Sequence, residues 1–262
     1  MRAAIIIPSR FESSRFPGKP LASIAGRSLI QRVSSLARAC SSCDEVVVAT
    51  DDERIRNHVE QTLDVKVVMT SKECANGSER VLEAAKLLDV LPDIIINLQG
   101  DSPLTPPWIL DELCRYLKEN SNVQIATPAV RISESTFHKL GEASRTGSAG
   151  GTFVVRDFRG RALYFSKSPI PFVRNRKQVL PLFKHLGVYG YRREMLEHYV
   201  GLSPGELEEI EGLEQLRLLE HGIDVQVVEV DFRGKEVWSV DGPDDVLAVE
   251  DIIKRQGELI VS

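Results

Sequence analysis

Residues 5–21 read IIIPSRFESSRFPGKPL, an apolar run that breaks into a loop rich in basic side chains. The opening β-branched residues are typical of a buried strand. Arg10, Arg15 and Lys19 follow within one loop, which a proline and Gly18 shape into a turn. Guanidinium and ammonium groups can share several phosphate oxygens, so three cations at the carboxyl end of a strand predict an anion site. A polyphosphate is the ligand that fits this loop best.

Two common nucleotide motifs are absent from this loop. It lacks the G-x-x-x-x-G-K-[ST] spacing of a P-loop and the G-x-G-x-x-G spacing of a dinucleotide fingerprint, which disfavours an NAD-dependent dehydrogenase. For any single cation the alternative is a solvated basic side chain. The clustering of three cations, with Ser13 and Ser14 between them, favours phosphate binding.

The rest of the chain alternates strands and helices. The apolar runs AAIII, EVVVAT, VKVVMT, DIIINLQG and VQIATPAV are separated by helical patterns such as SERVLEAAKLL. This alternation predicts an α/β fold with a mostly parallel central sheet and helices on both faces. Ligands of such sheets bind beyond the carboxyl ends of the strands.

The pattern changes after about residue 130. A hairpin is predicted in GGTFVVRDFRGRALYFS, followed by a Pro-punctuated excursion and a strand in HLGVYGY. We also predict a long helix from about Pro204 to His221, a strand at VQVVEV and a last helix from about Pro243 to Gln256. No composition shift marks a linker. We therefore expect one domain, 1–262, in which residues 130–200 form a smaller β-rich extension that covers the active edge.

Composition limits the possible partners. The chain has 262 residues, is 42% hydrophobic and carries a formal net charge of -5, with acidic and basic residues mixed throughout. This balance does not favour nucleic acid or an anionic membrane as a partner. No apolar run approaches the roughly 20 residues that span a bilayer, so we expect a cytoplasmic protein. Cys40 and Cys43 form a lone C-x-x-C, for which we favour a structural role over a redox or zinc site.

Two aspartates follow predicted strands. Asp101 comes after a strand and a glycine in INLQGDSPL, and Asp241 precedes a Gly-Pro turn at the predicted end of a short strand. Mg²⁺ commonly takes one or two carboxylates together with substrate phosphates, so these two are the candidate ligands. Asp244 and Asp245 start a helix, where acids also favour the helix dipole, and a capping role is preferred for them. A cationic loop with two carboxylates suits attack of a hydroxyl on a nucleotide α-phosphate, with pyrophosphate leaving.

Six blocks then resemble one family. SRFESSRFPGKPL, NGSER, NLQGDSPL, ALYFSKSPIP, KHLGVYGY and LEQLRLLEHG have the order and approximate spacing found in the CMP-Kdo synthetases, the 3-deoxy-manno-octulosonate cytidylyltransferases. The similarity covers nearly the entire chain. It implies a Rossmann-like nucleotidyltransferase fold and the transfer of CMP from CTP to the anomeric hydroxyl of Kdo, with release of pyrophosphate. It also implies Mg²⁺, a homodimer and a role in lipopolysaccharide synthesis.

The resemblance assigns a nucleotide side of the site. Catalytic roles fall to Lys19, Asp101 and Asp241, and the two aspartates would hold the metal. CTP binding falls to Arg10, Ser14, Arg15, Gly18, Lys19, Ser78 and Arg80. The last two would read the cytosine. The alternative for the NGSER segment is a simple turn with Ser78 capping a helix.

The resemblance also assigns a sugar side. Gln99, His185, Tyr189, Glu211 and Gln215 would contact the 3-deoxy-ulosonic acid. His185 and Tyr189 are four apart and would share one face of a strand, while Glu211 and Gln215 would share one face of a helix. A buried histidine with a structural hydrogen bond is the alternative for His185.

The chain departs from the family at three places. Ser102 stands where the family has an acid in G-D-E-P, Gly242 stands in the V-D-T-P-E-D block, and a family lysine is missing around residues 150–155. These departures leave open a modified acceptor, such as an 8-amino Kdo or a related 3-deoxy-ulosonate. A nucleotide-binding regulatory relative without catalysis is the alternative from a different class.

Overall fold

The structure is a computed structural model that describes residues 1–13, 15–145, 151–175 and 179–260. The described helices are α1 (Leu29–Arg38), α2 (Glu53–Thr62), α3 (Gly77–Lys86), α4 (Pro107–Glu119), α5 (Glu134–Arg145), α6 (Arg193–Val200), α7 (Glu206–Glu211), α8 (Leu216–Glu220) and α9 (Pro243–Gln256). A short 3-10 helix covers Lys19–Leu21. In these ranges no helix is long and apolar enough to cross a membrane.

The described strands fall into two sheets. The small sheet pairs β2 (Ser23–Ile24) with β3 (Arg27–Ser28). The large sheet contains β1 (Ala3–Ser9), β4 (Glu45–Thr50), β5 (Lys66–Met69), β6 (Ile94–Asn97), β7 (Ile125–Arg131), β8 (Thr152–Arg156), β9 (Ala162–Ser166), β10 (Phe183–His185), β11 (Tyr189–Arg192) and β12 (Gln226–Val230).

The large sheet is mostly parallel, as predicted. Its order is β5-β4-β1-β6-β11-β7-β10-β8-β9, with β12 paired to β7. Of the ten strands built from described residues, seven run in one direction and β9, β10 and β11 run against them. The second half of the chain therefore extends the same sheet, and β11 joins the two halves by pairing with both β6 and β7.

Apolar clusters cover both faces of the sheet. One cluster packs α1 and α4 against alternate residues of β1, among them Ile5 and Ile7, and the other packs α3 against Ile6. Residues on both faces of β1 are therefore buried. This explains why its sequence is continuously apolar rather than alternating.

Most of the predicted elements are confirmed. The five apolar runs of the first half form strands, GGTFVVRDFRGRALYFS contains the antiparallel hairpin β8–β9, VQVVEV contains β12, and the last helix has the predicted bounds. The loop predicted at RTGSAGG falls largely on 146–150, outside the described residues. Ser14 is also outside them.

Three local predictions are wrong. The helix expected from Pro204 to His221 is two helices, because Gly212 takes a left-handed conformation (φ 63°) that ends α7. HLGVYGY is not one strand, since a turn separates β10 from β11. No strand precedes Asp241: the chain there is extended and has only one backbone hydrogen bond to the Asp101 segment, from Val240 N to Asp101 O at 2.8 Å.

Candidate active site

The candidate site lies beyond the carboxyl ends of β1 and β6, which are neighbours in the sheet. The basic loop follows β1, and the segment with Asp101 follows β6. Gly100 keeps the two segments close, since a Cβ there would lie 2.7 Å from the Pro8 carbonyl oxygen. Any larger residue at position 100 would push the acidic segment away from the loop.

Gly18 and Lys19 set the shape of the basic loop. Gly18 has φ 73°, and its N–H donates to the Phe11 carbonyl at 2.8 Å, which closes the loop. Lys19 is the first residue of the 3-10 helix. Its side chain reaches the segment that follows β6. Its Nζ donates to Asp101 Oδ2 at 3.1 Å and to the Val240 carbonyl at 2.9 Å.

Arg15 and Arg10 leave the loop in different directions. Arg15 reaches Asp241 Oδ1 at 3.0 Å, although its side chain is 72% exposed. Arg10 donates to the Cys74 carbonyl at 2.8 Å, in the segment just before α3. The three predicted phosphate-binding cations therefore surround one edge of the sheet, and two of them face the predicted metal ligands.

A capping residue positions Asp241. The Asp245 carboxylate accepts from the backbone N–H groups of Asp241 and Gly242, both at 2.8 Å, and Trp238 Nε1 donates to it at 3.0 Å. Burial alone would raise the pKa of Asp245, but these hydrogen bonds outweigh burial and hold its pKa below the ordinary value. Asp245 thus has the predicted capping role, and Asp241 is left to point at the basic loop.

The two aspartates fit a hard divalent cation. Lys19 contacts both Asp101 and the residue before Asp241, so the carboxylates share one small region of the surface. Their side chains are 30% and 47% exposed, so both carboxylates are accessible from the cleft side of the surface. Two accessible carboxylates beside a phosphate-binding loop suit Mg²⁺, which completes its octahedron with substrate oxygens and water. No cluster of three or more potential metal-binding His, Cys, Asp or Glu side chains occurs in the described part of the chain.

Ser102 touches the first of these aspartates. Its hydroxyl donates to Asp101 Oδ1 at 3.3 Å. The resemblance described above places an acid at this position, whereas this chain has a neutral donor that stabilises the Asp101 carboxylate. The substitution removes one negative charge next to the predicted metal site.

The segment before α3 does not have the Ser78 cap that was the alternative to base reading. Asn76, not Ser78, caps α3 by accepting from Glu79 N at 2.9 Å. Ser78 is buried and its hydroxyl faces Glu214 Oε2 at 3.5 Å. Arg80 is fully buried, and its guanidinium donates to Thr70 Oγ1 at 2.6 Å and to Asp51 Oδ2 at 2.8 Å. Arg80 thus has structural partners, and base reading by Ser78 and Arg80 stays a prediction.

One cleft of about 740 Å³ gathers most of the sugar-side residues. It is lined by His185, Tyr189 and Gln215, together with Asp241 and Arg15 from the nucleotide side. The cleft therefore connects the predicted sugar contacts to the predicted metal and phosphate contacts. This continuity is what transfer between two bound substrates requires.

His185 is held as a neutral hydrogen-bonding group. Its Nε2 lies 2.8 Å from the Thr127 hydroxyl, whose own proton is directed to the Val188 carbonyl at 2.7 Å. This arrangement places the imidazole proton on Nε2 and leaves Nδ1 as an acceptor. Burial lowers the pKa of His185 to about 3, and the charge of Lys167 adds to this effect. Thr127, which no sequence motif singled out, orients the ring.

His185 and Tyr189 do meet, but for another reason than the one predicted. Their ring centroids are 5.5 Å apart although they lie on different strands, because β10 and β11 run in the same direction and follow one another along β7, with which both pair. Phe165 packs edge-on against His185 from the other side, at 5.0 Å. Of these three aromatic residues, His185 and Tyr189 line the cleft.

The three remaining residues that were predicted to contact the sugar have different surroundings. Gln215 is buried, lines the cleft and has an amide nitrogen with no hydrogen-bond partner among the described residues. Glu211 and Gln215 do not share one helix face as predicted, because Glu211 ends α7 and Gln215 precedes α8. Glu211 accepts from the Ser166 hydroxyl at 2.7 Å and from Lys167 N at 2.9 Å. Gln99 donates to Asn97 Oδ1 at 3.3 Å and sits beside Gly77, at the start of α3. Sugar contact by these three residues stays a prediction.

Comparison with known proteins shows the family to which the chain belongs. A cytidylyltransferase family model matches residues 4–227. The chain is 46% identical to a 3-deoxy-manno-octulosonate cytidylyltransferase of Maricaulis maris (strain MCS10), covering 99% of this chain and 100% of that protein. It is 42% identical to the enzyme of the same name from Chlamydia felis, covering 94% of this chain and 91% of that protein.

Two solved structures are similar to this chain. A CMP:2-keto-3-deoxy-manno-octonic acid synthetase complexed with CTP superposes with a TM-score of 0.86 at 35% identity, over 98% of this chain and 100% of that one. A 4-diphosphocytidyl-2C-methyl-D-erythritol synthase from Anaerococcus prevotii shares the fold at a TM-score of 0.61 and 14% identity, over 97% of this chain and 99% of that one. With its fold, its basic loop and its strand-end aspartates, this chain belongs to the cytidylyltransferase family, among the 3-deoxy-manno-octulosonate cytidylyltransferases.

Proposed function

We propose that this enzyme transfers CMP from CTP to the anomeric hydroxyl of 3-deoxy-manno-octulosonate, giving CMP-Kdo and pyrophosphate. The observation that carries the proposal is the single cleft in which Arg15 and Asp241 of the nucleotide side line the same space as His185, Tyr189 and Gln215. The name of the 46% identical relative and the CTP complex of the 35% identical structure support the choice of substrates.

In the reaction, the sugar oxygen attacks the α-phosphorus of CTP. A new O–P bond forms, the bond from the α-phosphorus to the bridging oxygen breaks, pyrophosphate leaves and the hydroxyl proton passes to solvent. Negative charge grows on the phosphoryl and leaving-group oxygens. Lys19 and Arg15 are placed to stabilise that charge, while Arg10 extends the cationic surface towards the base segment.

The cations and carboxylates exchange partners on substrate binding. Lys19 and Arg15 are paired with Asp101 and Asp241 in the free protein. The triphosphate offers the two cations stronger anionic partners, because phosphate oxygens form charge-assisted hydrogen bonds in parallel. The carboxylates of Asp101 and Asp241 are then available to bind Mg²⁺, the second partner that we propose for them. When bound, the ion would neutralise charge on the phosphate oxygens.

His185 and Tyr189 orient the acceptor. His185 is neutral, so it contributes an acceptor at Nδ1 rather than a charge, and it is not the base that removes the sugar proton. Gln215 adds an unpaired amide N–H₂ inside the cleft. These neutral groups suit the hydroxyls of a sugar, which both donate and accept hydrogen bonds.

We further propose that the enzyme acts in the cytoplasm, where CTP is available, as a homodimer in lipopolysaccharide synthesis. The β8–β9 extension supports the dimer proposal, because β9 is the outer strand of the sheet order and Phe158 and Leu163 are exposed there. Sedimentation of the purified protein tests this part of the proposal.

The experiment that tests the function is direct. Purified protein is incubated with CTP, Mg²⁺ and Kdo, and pyrophosphate release is followed, with UTP, ATP and no-sugar controls. Release that requires both CTP and Kdo supports the proposal. Release with only an 8-amino Kdo or another 3-deoxy-ulosonate would keep the chemistry and change the acceptor, which is the alternative that the Ser102 departure favours.

A further inference from the structure

Three cysteines lie together at the amino end of β4, the opposite end of the sheet from the cleft. Cys40 and Cys43 belong to the turn between α1 and β4, and Cys114 belongs to α4. All three are free thiols, and none of these described residues lines the cleft. The C-x-x-C motif by itself favours a structural role, but Cys114 brings a third thiol from a distant part of the chain.

Helix α4 holds the turn through two of its residues. Asp111 Oδ1 accepts from the Cys40 thiol at 3.3 Å and from the Ser42 N–H at 2.7 Å. One turn further along α4, the Cys114 thiol donates to the Ser42 carbonyl at 3.0 Å. That carbonyl belongs to the peptide group that joins Ser42 to Cys43, so Cys114 lies against the backbone of Cys43.

The thiols of the cluster are in contact with one another. The Cys43 thiol is hydrogen-bonded to the thiols of Cys114 and Cys40, and these contacts together with burial raise its pKa. The hydrogen bond from Cys43 lowers the pKa of Cys114; burial opposes this effect, and the charge of Lys118 supports it. The cluster therefore places a thiol that ionises readily beside one that keeps its proton.

The two thiols differ in their access to solvent. Cys43 is half-buried and has exposed neighbours in Ser41 and Asp44, whereas Cys114 is fully buried. A small disulfide in solution can therefore reach Cys43 but not Cys114. An accessible thiol in contact with a buried, readily ionised one is the arrangement that allows exchange through a mixed disulfide.

We infer that Cys43 and Cys114 are a reversible thiol–disulfide pair that a small-molecule disulfide, such as glutathione disulfide, oxidises. The Cys43 sulfur attacks one sulfur of glutathione disulfide, whose S–S bond breaks, and one glutathione leaves with the Cys43 proton. The Cys114 sulfur then attacks the Cys43 sulfur and releases the second glutathione, which takes the Cys114 proton. The two cysteines are oxidised, and the glutathione disulfide is reduced to two thiols.

The turn is built to tolerate both states of the pair. Lys118 Nζ donates to the same Ser42 carbonyl at 2.7 Å. This carbonyl consequently keeps a partner when the Cys114 thiol loses its proton to disulfide formation. Asp111 also keeps its hydrogen bond to the Ser42 N–H. Oxidation therefore leaves neither backbone group of Ser42 unpaired. This inference goes beyond the proposed function and does not depend on it.

Equilibration with glutathione tests the pair. The raised pKa of Cys43 slows the first step, so the reduced protein is held for hours in buffers of fixed oxidised-to-reduced glutathione ratio before N-ethylmaleimide blocks the free thiols. After unfolding, trypsin releases residues 39–54, which contain Cys40 and Cys43, and residues 87–115, which contain Cys114. We expect wild type to give these two peptides joined by a disulfide. Excess reduced glutathione should return them separate and blocked.

Variants identify which thiols form the bridge. We expect Cys43→Ser and Cys114→Ser to lose the joined peptides. Cys40→Ser is the matched control, because it removes a thiol from the same turn, and it should keep them. Trypsin leaves Cys40 and Cys43 on one peptide, so a bridge between these two would give an unblocked 39–54 and a blocked 87–115. That result, or joined peptides that persist in Cys43→Ser, would overturn the inference.

Alkylation of the wild-type protein provides a test that needs no variant. In the native, reduced protein N-ethylmaleimide should block Cys43 at least about 10-fold faster than Cys114. Incubation with glutathione disulfide should then protect both thiols from alkylation after unfolding. Full alkylation of both, or a stable mixed disulfide at Cys43 with Cys114 still free, would overturn the inference even if Cys114→Ser failed to fold. Peptide masses are the readout, so these outcomes are independent of CMP transfer.

Discussion

At the scale of single residues, the proposed Mg²⁺ site depends on Asp101 and Asp241. Changing either to Asn keeps the side-chain size and removes the charge that would hold Mg²⁺. We expect each variant to lose at least about 100-fold in kcat while its far-UV circular dichroism and thermal unfolding stay near wild type. Wild-type rates at saturating Mg²⁺ in either folded variant would remove that aspartate from the metal role.

Lys19 should stabilise the transition state of the reaction. Lys19→Met removes the ammonium that contacts Asp101 and the Val240 carbonyl, and with it the charge offered to the leaving pyrophosphate. We expect kcat/KM for CTP to fall about 100-fold or more, with kcat reduced as well as CTP affinity. Lys254→Met serves as the control, and unchanged catalytic efficiency in Lys19→Met would exclude phosphate contact.

His185 gives a prediction about pH. Its folded pKa of about 3 lies below the ordinary value of 6.5, so the unfolded chain takes up a proton that the native protein does not. The stability contribution is therefore fully present above about pH 6.5 and is lost as pH falls towards 3, by up to about 1.4 kcal/mol per pH unit. Urea unfolding from pH 7 to pH 4.5 should show a flatter decline for His185→Gln than for wild type. Identical slopes would mean that His185 is protonated in the native state.

A substitution at Arg80 distinguishes a structural role of this residue from recognition of the cytosine base. Arg80→Met leaves Asp51 and Thr70 without their partner, and the free energy of unfolding should fall by about 3 kcal/mol. Arg56→Met, which removes exposed ion pairs on α2, should leave the free energy of unfolding close to that of wild type. A folded Arg80→Met of wild-type stability with a raised KM for CTP would instead support base reading.

At the scale of elements, the break between α7 and α8 deserves the closest test, because it is where the predicted long helix fails. The apolar spacing around IEGLEQLR is compatible with one helix, and a single glycine in a helical pattern is tolerated at modest cost. Gly212 instead takes φ 63°, which turns the chain so that Leu213 and Gln215 enter the core and the cleft.

Gly212→Ala therefore tests the break. No atom lies within 4 Å of a Cβ at this position, so the cost is backbone strain alone, about 1 kcal/mol. Gly212→Asn should cost less, because Asn tolerates the left-handed region better. Chemical denaturation measures both, and an alanine variant as stable as wild type would show that the left-handed turn is not required.

At the scale of the whole molecule, the sequence predicts the strands of the parallel half, since continuous β-branched runs leave little choice of structure. It also places Lys19 and Asp101 at one edge, because the carboxyl ends of parallel neighbours meet there. The sequence could not predict that β11 would join the two halves, because strand order depends on long-range pairing. Nor could it predict the orientation of His185 by Thr127, since this hydrogen bond joins residues that are distant in the chain.

The central claim is that one cleft joins the nucleotide of CTP to a sugar acid. The measurement that tests it most directly is pyrophosphate release by the purified enzyme with CTP, Mg²⁺ and a panel of 3-deoxy-ulosonic acids. The account predicts release that requires CTP and Kdo together, with little from UTP, ATP or neutral sugars. Binding of CTP without pyrophosphate release for any acid in the panel would contradict it.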